Sequence, residues 1–133
     1  MTKPKRPLNI YVDLDGTLAH YSNFGEGGIG LPIAPMVDRV KRWLSEGHKV
    51  VIFTARMSHP ERGADEEAKI RRWCKRHIGA DLQVTCIKSW EADEFWDDRA
   101  VTVETNTGRA LAPSRRGLDD PLDNFIPQRV TEK

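Results

Sequence analysis

A chain of 133 residues and 15.1 kDa has room for one compact domain, and 38% hydrophobic against 31% charged residues is the balance of a globular protein. No apolar run approaches the ~20 residues of a bilayer-spanning helix, which excludes such a helix. With 21 Lys+Arg against 20 Asp+Glu the net charge is +1, so the chain lacks the strongly basic balance of a dedicated nucleic-acid binder, although local patches survive that argument.

In chain order, residues 1–7 are rich in Lys and Pro and read as a flexible N-terminus. The apolar stretch after Lys3, Lys5 and Arg6 is broken at Asp13, and no small-residue cleavage site follows, so no secretory leader is expected. Leu8 to Leu14 is a β-branched apolar run ending at Asp-Gly, the pattern of a buried strand meeting a turn. The Gly-rich stretch from Ala19 to Leu31 has no period and reads as a loop. Pro35 opens a helix with Val37, Val40, Trp43 and Leu44 on one face and Gly47 as its stop. Lys49 to Thr54 is a second buried strand, and a polar loop follows.

A second helix runs from about Asp65 to His77, with Ile70, Trp73, Cys74 and His77 at i, i+3, i+4, i+7 spacing, Glu66 and Glu67 in its first turn and Gly79 as its end. Strand-like pieces recur at Gln83–Ile87, at Glu94–Trp96 and at Val101–Glu104. This order predicts an α/β fold, a mostly parallel sheet with helices on both faces. The organised domain is placed at 8–109, with a polar, Pro-punctuated C-terminal tail at 110–133. Cys74 on the helix and Cys86 in the strand are too few for a disulfide scaffold and read as buried free thiols in a reducing cytoplasm.

The chemistry concentrates at strand ends. A carboxylate is costly in a strand buried on both faces unless it lies at the end, and in open α/β sheets that end is the ligand crevice. Period-2 alternation points Asp13 and Asp15 to one side, Gly16 lets the chain turn, and Thr17 can tie the turn by hydrogen bonding. The bland alternative is an Asp-Gly turn with both acids in water. Thr54, Ala55 and Arg56 follow the second strand, where a hydroxyl, a backbone N–H and a two-donor guanidinium suit phosphate oxygens. Thr at a strand end is equally common in structural roles. Lys88 stands just past the third strand, and Asp97 and Asp98 end the apolar stretch Phe95-Trp96, with Asp98 the nearer metal candidate and Asp97 kept beside it.

Asp13-Leu-Asp15-Gly-Thr, Thr54, Lys88 and Asp97/Asp98, in this order and each after an expected strand, resemble the four motifs of the haloacid dehalogenase-like (HAD) phosphohydrolases over residues 8–108. The short run from Lys88 to Asp97-Asp98-Arg99 is similar to the small capless members, and Asp-Gly-Thr, Thr-Ala-Arg and Asp-Asp-Arg echo the phosphatase domains of phage polynucleotide kinases. One departure is that only residues 89–96 separate Lys88 from the final acids, where many members place a helix.

The resemblance implies a Rossmann-like domain and a Mg²⁺-dependent phosphomonoester hydrolase. Asp13 would be the nucleophile forming an aspartyl-phosphate, and Asp15 the acid and base. Thr54 and Lys88 would position the phosphoryl group, and Mg²⁺ would be held by Asp13, the Asp15 carbonyl and Asp98 or Asp97. The family's dehalogenases lack an acid at the position of Asp15, which excludes C–halogen cleavage. The stretches between Asp15 and Thr54 and between Thr54 and Lys88 are consumed by loop and helix, so no cap domain fits. The implied site is open to a bulky phosphorylated substrate or is closed by a neighbouring subunit.

Two alternatives accompany this reading: a polynucleotide 3′-end phosphatase and a catalytically silent phosphate- or metal-binding module. Lys69, Arg71, Arg72, Lys75 and Arg76 crowd the second helix near Arg56 and Arg62, either as a solvated face or as a track for a phosphate backbone. Gly25 to Gly30 formally matches GxGxxG, but no strand directly precedes it, and Pro32 and Pro35 come before the helix, so it reads as a flap rather than a dinucleotide loop. His20 and Tyr21 at its root either touch substrate or pack. Asp119 and Asp120 follow no strand and are assigned to the tail. Trp43 and Trp73 read as core, while Trp90 and Trp96 near the motif ends are left open.

Overall fold

The computed structural model describes residues 3–21 and 28–118. The chain forms two compact units, Met1–Asp98 and Arg99–Lys133. In the first, four strands form one parallel sheet: β1 (Asn9–Val12), β2 (Lys49–Phe53), β3 (Gln83–Thr85) and β4 (Glu94–Trp96), in the order β3-β2-β1-β4. Helix α1 (Ala34–Ser45) joins β1 to β2, and a 3-10 turn (Ala55–Ser58) with helix α2 (Gly63–His77) joins β2 to β3. This is the Rossmann-like parallel α/β arrangement that the strand and helix order implied. No helix of the described residues is long and apolar enough to cross a membrane.

The strands form because their residues are β-branched or aromatic and find partners on both sides. In register, Val12 faces Ile52 and Trp96, and Ile52 faces Val84. The even-numbered residues Ile10, Val12, Val50, Ile52 and Val84 share one buried cluster with Met36, Val37 and Val40 of α1 and with Ile70, Trp73 and Cys74 of α2. Both described helices therefore cover the same face of the sheet, which corrects the expectation of helices on both faces. The odd-numbered face carries instead a ring cluster of Tyr11, Phe53 and Phe95, with centroids 5.3–6.0 Å apart. Tyr11 and Val51 on that face are also buried.

Helix ends follow their sequence signals. Pro35 sits in the first turn of α1. Gly47, at φ 94°, carries the chain past its end, donating to Leu44 O while His48 N–H reaches Trp43 O. Gly79, at φ 88°, does the same after α2, donating to Cys74 O. The loop after β1 has a paired stem: His20 N–H donates to Leu31 O and Ile33 N–H to Leu18 O. A Cβ on Gly30 would collide with the His20 carbonyl, so only glycine fits there. Residues 22–27, which include the first half of the expected flap, lie outside the described residues. His20 and Tyr21 at its root are exposed.

Two strand expectations are corrected. β3 stops at Thr85, so Cys86 lies beyond it and is exposed, while Cys74 is buried as expected. Val101–Glu104 forms no strand of the sheet; within the second unit Val103 makes a single antiparallel bridge to Ala110. Glu104 N–H donates to Arg109 O and Leu111 N–H to Thr102 O, closing a turn through Asn106 (φ 66°) and Gly108 (φ 79°). Its alternating Val-Thr-Val pattern satisfies a strand locally, but pairing rather than propensity decides. Asp119 and Asp120 lie outside the described residues.

Candidate metal and phosphate site

β1 and β4 are neighbours, and Val12 pairs with Trp96. The next residue on each strand is therefore an acid, Asp13 beside Asp97, at the carboxyl end of the sheet. The ladder continues one step, with Asp13 N–H donating to Trp96 O at 2.9 Å. Asp13, Asp97 and Asp98 each bring a carboxylate oxygen into a cluster whose members all lie within 4.8 Å of one another. Parallel pairing thus joins acids at opposite ends of the unit's sequence.

Thr17 ties the two sides together. Its Oγ1 accepts from Asp98 N–H at 2.9 Å and stands 3.0 Å from Asp98 Oδ1 and 3.2 Å from Asp13 Oδ2, with one proton to share between them. Gly16, at φ 92°, makes the reversal that brings Thr17 back, and a Cβ there would meet Asp98 Oδ2 at 2.6 Å. Burial, a hydrogen bond with Asp98 and the negative charge of Asp97 together push the Asp13 carboxyl up to about 7, with Thr17 partly opposing them.

Three hard oxygen donors at this spacing suit a small divalent cation. Opposite ligands of Mg²⁺ at ~2.1 Å are about 4.2 Å apart, close to the spread observed. The residues present fit the group.

Asp15 belongs to a second cluster beside the first. Arg56 donates from Nε to Asp15 Oδ2 at 2.7 Å and from Nη2 to Oδ1 at 2.9 Å, a two-donor grip on one carboxylate. The same guanidinium reaches Glu66 Oε1 at 3.1 Å and the Gly28 carbonyl at 3.0 Å. Glu66, buried in the first turn of α2, pairs in turn with Lys69 at 3.6 Å. Arg56, read from sequence as a phosphate grip, is placed on Asp15.

Thr54, buried at the end of β2, donates its N–H to Thr85 O and accepts from Arg56 N–H through Oγ1 at 3.2 Å. Ala55 opens the 3-10 turn that presents Arg56. Lys88 holds its ammonium 5.4 Å from the centroid of the Phe95 ring, a cation–π contact on the strand that leads to Asp97. Trp96 packs at 4.9 Å from the Trp43 ring, whereas Trp90 is fully exposed.

The structure therefore brings Asp13, Gly16, Thr17, Asp97 and Asp98 together, and joins Asp15, Thr54 and Arg56 beside them. Glu66 was assigned from sequence only to the helix dipole. Its partnership with Arg56 depends on which way the first turn of α2 faces, and its one local signal is an acid on the helix stripe ahead of Ile70, Trp73 and Cys74.

No family model and no curated protein matches the chain. Among solved structures, that of a conserved protein from Bacteroides thetaiotaomicron is similar to it, with a TM-score of 0.53 and 24% identity over 72% of this chain and 79% of that one. At that identity the likeness is one of fold and extends to no residue's role.

Proposed function

We propose that this chain is a Mg²⁺-dependent phosphomonoester hydrolase working through an aspartyl-phosphate on Asp13. The observation that supports it most is the meeting of Asp13 with Asp97 and Asp98 at the carboxyl end of a parallel sheet, tied by Thr17. A carboxylate attacking a phosphate dianion meets like charge at close range, worth several kcal/mol at reduced dielectric. Mg²⁺ held by Asp13, Asp97 and Asp98 would supply the offsetting charge.

The chain's own residues divide the remaining work. An Asp13 oxygen attacks phosphorus and the ester oxygen leaves, taking a proton from Asp15; water then attacks the aspartyl-phosphate as Asp15 accepts its proton. Arg56 donates to both Asp15 oxygens and so favours the ionised carboxylate, which suits the step in which Asp15 accepts the proton of water. For the step in which Asp15 donates, the guanidinium would release one oxygen so that it carries the proton. Thr54 Oγ1, already accepting from Arg56 N–H, keeps its own proton for a phosphoryl oxygen. Lys88 would leave the Phe95 ring to offset phosphoryl charge. A cytoplasmic setting is part of this reading, supported by two free cysteines.

The test is turnover of a generic aryl phosphate with and without Mg²⁺. Asp13→Asn is expected to reduce kcat by more than about a thousandfold, and EDTA to abolish turnover. Full activity in Asp13→Asn removes the assigned nucleophile. Mg²⁺ binding without turnover across a broad phosphate panel would leave a silent metal-binding module.

A further inference from the structure

We infer that the cleft along α2 is a track for a single strand of nucleic acid. It has a volume of about 740 Å³ and is lined by Lys69, Arg72, Lys75 and Arg76, with Trp73 and His77 among them. No carboxylate of the described residues lines it. Lys69 pairs with Glu66, while Arg72, Lys75 and Arg76 make no ion pair with any described residue. A solvated basic helix face would be convex and salted with acids at i±4, as Arg71 is with Glu67 on the same helix. Here the cations rim a concavity of ligand size.

Charge and donor geometry select the occupant. From Lys69 to Arg76 the helix rises about 10 Å, at 1.5 Å per residue. An extended single strand, with a repeat roughly twice the ~3.4 Å duplex rise, sets about two phosphates against this stretch. Arginine's fork suits phosphate oxygens in pairs.

The cleft connects with the acid cluster through Arg56. Gly28, whose carbonyl accepts from Arg56, lines the cleft, and Lys69 pairs with Glu66, the second acid on Arg56. A strand leaving the cleft at the Lys69 end passes Arg56 towards Asp15. That the strand's terminal phosphate is then hydrolysed rests on the function proposed above; occupancy of the cleft does not.

The experiment is fluorescence anisotropy of a labelled twelve-nucleotide single-stranded DNA without terminal phosphate, titrated with the full chain in EDTA. Neutralising two phosphates predicts about 7-fold weaker binding at 200 mM than at 50 mM salt. Arg72→Glu and Arg76→Glu, each checked for native far-UV dichroism, are expected to weaken binding more than tenfold. Lys41→Glu, an equal charge change on an exposed position of α1, is expected to alter it less than twofold. Equal losses in all three variants, no loss in either arginine variant, or equally tight binding of polyglutamate would overturn the track. Strand binding by a protein that turns over no phosphate ester overturns the hydrolase and not the cleft, and turnover without strand binding does the reverse.

Discussion

Gly16 carries two demands at once, a backbone at φ 92° and the Asp98 carboxylate at the place a Cβ would occupy. Gly16→Ala is expected to lower stability by about 1–3 kcal/mol in urea melts, and to weaken divalent-cation binding because Asp98 must move. The Asp13 carboxyl, raised to about 7, sets a pH dependence with a definite sign. A raised pKa means the folded chain holds this proton more tightly than the unfolded one. Its contribution is therefore fully present below about pH 4 and lost as pH climbs through 7. Thermal melts in EDTA should show stability declining over that window, and added Mg²⁺ should restore more at pH 8 than at pH 5. Arg56 presents a further case. Arg56→Ala leaves Asp15 and Glu66 facing each other partly buried, at a cost of about 2 kcal/mol between the exposed and buried limits. Arg56→Lys should recover little, since one ammonium does not reproduce the two-donor grip. Asp13, Asp97 and Asp98 are legible in sequence because each follows a strand signal. The placement of Arg56 on Asp15 and of Lys88 on Phe95 is not, because a long side chain chooses its partner from the surroundings.

At the level of elements, the apolar runs of β1 and β2 and the 3.6-residue stripes of α1 and α2 speak for themselves, since each buries a continuous face. Ile52 is fully buried at the centre of the sheet, and Ile52→Ala should cost about 2–5 kcal/mol in denaturant titrations. β4 is harder to read, because Asp93 and Glu94 look like strand breakers. Their place explains them. Asp93 accepts from Asn9 N–H at 2.8 Å and from both Arg6 nitrogens, and its own N–H donates to Asn9 O, so the acid pins the start of β4 to the start of β1. The Arg6 hydrogen bond and the Asn9 N–H hold its carboxyl down at about 2. A depressed carboxylate pKa contributes above about pH 4 and fades as pH falls through 2. Val101–Glu104 shows the opposite failure: good local pattern, and only a single bridge to pair with.

For the molecule as a whole, the order of elements sufficed for the parallel α/β class, but not for both helices sharing one face. Successive right-handed crossovers from β1 to β2 to β3 advance in one direction across the sheet and keep α1 and α2 on the same side. The connection to β4 then spans residues 86–93 with no helix to cover the other face, where the rings of Tyr11, Phe53 and Phe95 gather instead.

β4 is a three-residue edge strand, and edge strands are where native sheets open first. The carboxylates at its far end face those of β1 across that margin, with Thr17 as a tie between them. A divalent ion bridging Asp13 to the Asp97–Asp98 pair would clamp that margin shut. Hydrogen–deuterium exchange at the Asp13 amide, bonded to Trp96 O, should slow on adding Mg²⁺, while the Val51 amide within β2 changes less.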